Sequence, residues 1–450
     1  MLERYRRCDP ARKAFFWGLV AITAAGWAWR IVFILNWRRG FVTHNDGEIY
    51  HRAANLLADG KGFIDPLATI DGRPRQAANS PPLYLVWLAV ASTFGQTSWL
   101  AHLLWTSVLG AATVAVIGFT GREIANARVG LIAALLAAVD PQMWWWNGVL
   151  FTESMALLAL SVAILLAYRY WRVPSGPRAA WLGLSVGLAA MSRAELALLF
   201  PLVVIPLVLL TRDRDPAQRW RWVATSALVV ALPIAPWVTY NMFRFEHPVT
   251  FSTSFELTLA ASNCDQTYEG AYLGYWSIQC VLPITEHRLG HRLSPLAQLD
   301  RGQEVKYDQS EEAQVFREAA VEYVGDHLDR LPVVVVARWG RVTQLWKPAQ
   351  TLTLAQFPEG MERWVAQDIV YGFYVLAALA ALGVVVLRRR RVPVFVLLAA
   401  PATVMVVTAI TFANLRYRAT AEPPLVLLAA VAIDAVSRSG ARRWRRRGSP

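Results

Sequence analysis

Residues 14–50 read AFFWGLVAITAAGWAWRIVFILNWRRGFVTHNDGEIY. From 14 to 36 the only charge is Arg30, and a run of about 20 apolar residues is what a helix needs to cross a bilayer. Arg4, Arg6, Arg7, Arg12 and Lys13 precede it. Basic residues stay on the cytoplasmic side, so the span delivers residues 38–82 to the outside. No small-residue cleavage site follows Trp29-Arg30 and the segment stays hydrophobic to Trp37, so it reads as a retained span. Immediately beyond it stand two carboxylates, Asp46 and Glu48, beside a membrane surface.

The remaining chain repeats this alternation. Of 450 residues 55% are hydrophobic, only 17% are charged, and 20 are Trp. Apolar runs at 96–121, 154–168, 223–243, 369–387 and 392–415 have bilayer length. Backbone in lipid must satisfy its own hydrogen bonds, which makes such spans helical. The fold class is an all-α polytopic membrane protein. The net charge of +13 could point to nucleic acid. Its arginines instead border hydrophobic spans, at Arg169/Arg172/Arg178, Arg212/Arg214/Arg219/Arg221, Arg388–Arg391 and the tail from Arg438, as topology signals touching anionic lipid. Nucleic acid is not a partner on this reading.

Spans are expected at 14–36, 99–119, 129–139, 150–170, 223–242, 369–387, 392–413 and 423–436. Residues 82–94 are too short to cross and read as an interfacial or re-entrant helix. Residues 179–211 read as a hairpin whose tip, Ser192-Arg193-Ala194-Glu195, faces outward or into a cavity. The tryptophans at 144–146 mark an outer interface. This makes about ten transmembrane helices, between eight and twelve, with both termini cytoplasmic. Three regions follow: 1–242, a transmembrane module with an active outer loop at 38–82; 243–365, an extracytoplasmic segment; and 366–450, the last spans with a basic tail.

In the outer segment, Val315, Phe316, Ala319, Ala320, Tyr323, Val324 and Leu328 recur at helical spacing, so an amphipathic helix is expected over about 310–330. Asp308 with Glu311 resembles a capping box at its start. Residues 332–346, apolar with Arg338 and Arg341 interspersed, are expected along the membrane surface. Cys264 and Cys280 also fall here, in an oxidising compartment, and suggest a disulfide; two free thiols are the alternative. A loop of that size would gain about 3 kcal/mol on the chain-entropy account.

Ionisable residues at span ends are the candidates for chemistry. Asp46 at the edge of a low-dielectric cavity suits a general base, with Glu48 beside it. Arg416 and Arg418 stand outside against the positive-inside rule, and their paired N–H groups suit a phosphate; Arg193 has the same character. Snorkelling to headgroups is the alternative for each. Glu153, Asn241, Tyr417, Tyr50 and His44 complete a candidate cavity. A base and a phosphate clamp on one face suggest transfer from a lipid-linked phosphate.

Motifs in order along most of the chain carry a resemblance. The first loop has Asn45-Asp46-Gly47-Glu48-Ile49-Tyr50, Gly60-Lys61-Gly62-Phe63 and Ser80-Pro81-Pro82-Leu83-Tyr84. Then come Asp140-Pro141, Thr152-Glu153, Gly187-Leu188-Ala189-Ala190 with Arg193, Pro236-Trp237 with Asn241, and Leu345-Trp346-Lys347-Pro348. Arg416-Tyr417-Arg418 and Glu422-Pro423-Pro424 close the series. The chain resembles the polytopic type-C membrane glycosyltransferases, in the branch of protein O-mannosyltransferases and aminoarabinose transferases. The resemblance implies a sugar moved from a polyprenyl-phosphate donor to a glycan, lipid or protein acceptor outside the plasma membrane. Asp46 then matches the acceptor base, Arg416 and Arg418 the donor phosphate, and Glu153 the cavity edge. Where aminoarabinose transferases place a lysine before the Pro-Pro pair, this chain has Ser80, which moves the phosphate role onto the arginines.

A single displacement would invert the anomeric centre, with the arginines meeting the charge that develops on the leaving phosphate. No cofactor is required; a divalent metal near Asp46 is left open, since some relatives use one, although Asp46 and Glu48 alone make a weak site. The rival class is a transporter or flippase of lipid-linked substrate without catalysis. Such proteins often carry internal repeats, and none is visible here.

Overall fold

The computed structural model describes residues 10–41, 46–66, 75–211, 214–285, 288, 308–357 and 359–447. His44, Asn45, Cys8 and the arginines at 4, 6 and 7 lie outside the described residues. The fold is helical throughout; among the described residues the one β feature is an isolated bridge between Ile64 and Gln76.

In chain order the principal helices are α1 (Pro10–Phe33, extended by a π-turn over Ile34–Arg38), α2 (Asp46–Ala58), α3 (Leu83–Thr93), α4 (Trp99–Ile124), α5 (Ala127–Val139), α6 (Glu153–Arg172), α7 (Gly176–Ala190), α8 (Pro216–Arg244), α9 (Ser254–Ser262), α10 (Gln309–Asp326), α11 (Leu331–Val342), α12 (Arg363–Arg389), α13 (Phe395–Ile410) and α14 (Glu422–Arg447). Six described helical segments are long and apolar enough to cross a membrane; a seventh forms if α5 is joined to Pro141–Gly148 across a 71° bend. About ten were expected. The difference lies in short apolar helices. α3 is an 11-residue helix, as its length implied. The hairpin's return arm is split into a 3-10 turn, a π-turn and a short helix, with Pro201 and Pro206 in its course. α13 has 16 residues and contains Pro401.

The bundle core joins α1, α4, α5, α6, α7, α12 and α14 through Leu19, Val114, Ala134, Leu160, Val186, Val365 and Leu428. Small residues let helices close. Gly183 and Gly187 stand one turn apart on α7, where an added Cβ would lie 2.6 Å from the carbonyl oxygens of Ser226 and Val230 on α8. That spacing is the small-xxx-small pattern of membrane helix pairs. Outward faces stay apolar: Leu228 and Leu232 of α8 are exposed, as lipid-facing positions are.

Two expectations are corrected. The loop 38–82 is not all loop: α2 occupies much of its first half, because Tyr50, Ala53, Ala54 and Leu57 share one helical face that packs on α3 and α4. Trp144, Trp145 and Trp146 do not face headgroups; the bend after Asp140 turns them inward, with Trp145 and Trp146 fully buried. In α11 Arg338 and Arg341 turn inward, while Val333, Val336 and Trp339 are exposed. Arg338 donates to the Ala409 and Ser262 carbonyls at 2.8 and 2.7 Å, and Arg341 to the Leu273 carbonyl at 2.6 Å, stapling α11 to α13 and to the segment after α9. α10 begins where expected, with the Asp308 side chain accepting from the Ser310 N–H. Cys264 and Cys280 are bonded.

Candidate active site

Four separate stretches end at one place. α2 starts on Asp46, α6 starts on Glu153, Arg193 ends the tip after α7, and Arg416 belongs to a short helix, Leu415–Arg418, ahead of α14. Arg416 donates Nη1–H to Asp46 Oδ2 at 2.6 Å and Nε–H to Glu153 Oε1 at 2.5 Å. Arg193 donates to the same Glu153 oxygen and, through Nε, to Glu195 at 2.5 Å. The result is a chain of alternating charge: Asp46, Arg416, Glu153, Arg193, Glu195.

Burial grades along it. The Glu153 side chain is wholly buried, Arg193 is 10% exposed, Arg416 21% and Asp46 47%. A carboxylate taken fully out of water needs charged donors, and Glu153 has two guanidinium groups on one oxygen while Oε2 has no partner among the described residues. Aromatic rings finish the setting: the Arg416 guanidinium lies 4.4 Å from the Phe151 ring centre and that of Arg193 5.3 Å from Tyr417.

α2 is held so that Asp46 reaches this chain. Tyr50 is buried against Tyr84, and its hydroxyl pairs with Ser80, the residue in the place of the lysine discussed above. Burial, then the Asp46 charge, pushes the Tyr50 phenol up to about 12. At the next residue, His51 Nδ1 lies 3.1 Å from His102 Nδ1, and His102 Nε2 lies 2.9 Å from Ser92 Oγ, tying α2 to α4 and α3.

Other sequence candidates are placed elsewhere. Arg418 pairs with Glu422 at 3.0 Å, donates to the Ile369 carbonyl at 2.9 Å, and is fully inside the bundle. Two steps along a helix turn a side chain by about 200°, which carries Arg418 away from the face of Arg416. Asn241 accepts from Arg244 and donates to the Thr250 carbonyl, both at 3.0 Å. Arg244 in turn grips the Phe63 and Ala77 carbonyls, so the pair anchors the far end of the 38–82 segment. Glu48 pairs with Arg52 one turn along α2.

Glu359 joins the site without having been singled out. It lines a cleft with Trp146, Tyr275, Asn414 and Arg416. Burial pushes its carboxyl up to about 7, opposed by the Arg416 charge and aided by Glu153 and Asp46. No pattern in 243–365 marks it; the signal would have been a lone carboxylate in the apolar stretch between Phe357 and Met361.

Among the described residues no group of three or more His, Cys, Asp or Glu side chains could hold a metal ion. Asp46 and Glu153 share Arg416 between them, so their oxygens already face a cation. That arrangement does not fit a resident divalent ion, and no step is derived through one.

The helical fold is similar to that of solved oligosaccharyltransferase structures, at low sequence identity. Residues 79–240 match the family described as Dolichyl-phosphate-mannose-protein mannosyltransferase. The archaeal oligosaccharyltransferase AglB from Archaeoglobus fulgidus, solved with an inhibitory peptide and a dolichol-phosphate, matches with a TM-score of 0.54 at 15% identity over 96% of this chain and 52% of that one. The same organism's oligosaccharyltransferase complexed with Zn and sulfate matches with a TM-score of 0.50 at 17% identity, over 94% and 50%. ArnT from Cupriavidus metallidurans bound to undecaprenyl phosphate gives a TM-score of 0.41 at 14% identity, over 94% and 78%. No curated protein matches the sequence. The chain spans about half the length of the archaeal transferase.

Proposed function

We propose that this protein transfers a sugar from a polyprenyl-phosphate donor to an acceptor hydroxyl or amine at the outer face of the membrane, with both termini cytoplasmic. The observation that supports it most is the convergence of Asp46, Arg416, Glu153 and Arg193 from four distant stretches onto one polar junction. The family description names a dolichyl-phosphate sugar, and the archaeal fold relative was solved with a dolichol-phosphate.

The geometry supports an exchange. In the free site the Asp46 oxygen that would take a proton is occupied by Arg416. An arriving phosphate competes for that guanidinium. Of the two carboxylates on Arg416, Asp46 is half exposed and Glu153 buried, so the Asp46 arm yields. Arg416 then binds phosphate, with Arg193 holding Glu153 in place, and the freed Asp46 faces the acceptor. The acceptor oxygen or nitrogen forms its bond to the anomeric carbon as the bond from that carbon to the phosphate oxygen breaks. The electron pair leaves with the phosphate, the acceptor proton goes to Asp46, and the anomeric centre inverts. Donor binding therefore releases the base, which keeps it engaged until substrate is present.

Purified protein carrying Asp46→Asn is assayed for transfer from a panel of polyprenyl-phosphate sugars. A positioned base contributes about 10²–10⁴-fold, so transfer should fall by that factor while donor affinity holds or improves. Full transfer by the variant sinks Asp46 as base. Lipid-linked substrate that is moved across vesicles by the wild type, with no transfer, returns the transporter reading.

A further inference from the structure

Arg416 sits on a helix of only four residues, Leu415–Arg418, too short to hold itself together. In a continuing α-helix the Leu415 carbonyl would accept the Ala419 N–H, but that N–H goes to the Arg416 carbonyl instead. The Leu415 carbonyl is met from another part of the chain: Gln142 donates its side-chain Nε2–H to it at 2.5 Å. Asn414 caps the helix, its Oδ1 accepting the Tyr417 N–H at 3.1 Å while its Nδ2–H donates to Glu359 Oε1 at 3.4 Å. These partners fix both amide orientations, since a carbonyl oxygen only accepts and an N–H only donates.

Gln142 stands on well-held backbone. Asp140 accepts the Gln142 N–H at 2.8 Å and starts the turn Pro141–Trp144. The residues that follow are pinned in turn. Trp145 donates to Glu362 at 2.8 Å, Arg30 donates to Asn147 at 2.8 Å, and Asn147 donates to Ser154 at 2.9 Å. The same bend leads into Phe151, whose ring meets the Arg416 guanidinium, and Glu153, which pairs with it. Yet the Gln142 amide is costly where it stands. It is 1% exposed, and its Oε1 has no partner among the described residues. A hydrocarbon side chain of similar volume would leave no side-chain oxygen unpaired. What the amide adds is a directed bond to the backbone one residue before Arg416.

Resting on the transfer reading above, we infer that Gln142 and Asn414 are positioning residues for Arg416: together they hold the backbone of its short helix, so that the guanidinium lets go of Asp46 and meets phosphate without the helix turning with it. Both act through that backbone rather than on substrate. Arg418, paired with Glu422 and with the Ile369 carbonyl, anchors the far end of the same helix. What remains free to move is the Arg416 side chain, while Arg193 keeps Glu153 in place. A displacement of about 1 Å in such a group can cost about 100-fold.

The test measures binding of undecaprenyl phosphate to the full chain in lipid nanodiscs, in the wild-type and Arg416→Ala backgrounds. Gln142→Met keeps the volume and removes the donor; Asn414→Ala removes the cap. Each should weaken binding about tenfold in the wild-type background. In the Arg416→Ala background neither should weaken it further, because a residue that acts through Arg416 has nothing left to position. A general loss of stability would lower affinity in both backgrounds alike. An equal loss in both, or no loss in either, overturns the positioning role and leaves the transfer reading standing. If Gln142→Met does not fold, Asn414→Ala carries the same comparison. Failure of the wild type to bind undecaprenyl phosphate overturns the transfer reading, and the positioning role with it.

Discussion

Arg416 and Arg418 share a four-residue helix and one motif, yet they live in different worlds. Arg418 finds Glu422 one turn along its own chain and is sealed in the bundle with it. Arg416 finds Asp46 and Glu153, 370 and 263 residues away, at a junction open to solvent on one side. A local, buried pair needs nothing further and holds the start of α14 against α12. A pair assembled from distant stretches, with one arm exposed, can exchange partners. On the proposed reading, structure and substrate are divided between two arginines two positions apart.

Breaking each side of this contrast should give different readouts. Arg418→Ala strands Glu422 inside the bundle, and removing one partner of a buried ion pair costs about 3–5 kcal/mol. Thermal unfolding in detergent should show the loss, with the double variant Arg418→Met, Glu422→Leu recovering most of it.

Glu359 sharpens the comparison because its partner is an amide, not a guanidinium. The folded carboxyl holds its proton to about pH 7, whereas the ordinary value is 4.5. Between those values the folded state binds more protons than the unfolded one, so stability falls as pH rises through this window and stays lower above it. Glu359→Gln should therefore be more stable than the wild type at pH 8, by at most about 3 kcal/mol, with the gain gone below pH 4.5. Melting temperatures across that range check the sign.

Arg416→Ala should do the reverse of Arg418→Ala. Affinity for a polyprenyl phosphate should drop by the about 1.5–3 kcal/mol of a charged hydrogen bond, read by binding in nanodiscs, with a smaller change in melting temperature. Unchanged affinity would make Arg416 a structural residue like its neighbour. The smallest effect is expected at Glu48, whose partner Arg52 is half exposed. Glu48→Gln should lower stability by about 0.3–0.5 kcal/mol, as for other exposed helix pairs.

Much of the site was legible because its chemistry is anomalous in a membrane chain. Asp46, Glu153, Arg193 and Arg416 are charges at the ends of apolar runs, and such charges need a reason. The same logic named Arg418, which the helix turn carries into a buried pair instead. Asn241 was a polar residue at a span end too, and it braces Arg244 on the backbone of residues 63–77. α2 could have been read from Tyr50, Ala53, Ala54 and Leu57, but the charges around them drew the reading toward loop. Glu359 offered little pattern, since one carboxylate in an outer segment is ordinary until the fold buries it.

What the sequence determined by itself is the solvent of each stretch. Runs of apolar residues marked the helical, membrane-length spans, and the order of motifs carried the resemblance. These are sums over many residues, and local errors average out. Which charge meets which partner was decided only by tertiary structure. Arg416 and Arg418 carry the same side chain in the same motif, and only the packing of α2, α6 and the hairpin tip around one of them separates a half-exposed pair assembled from distant stretches from a local pair sealed in the bundle.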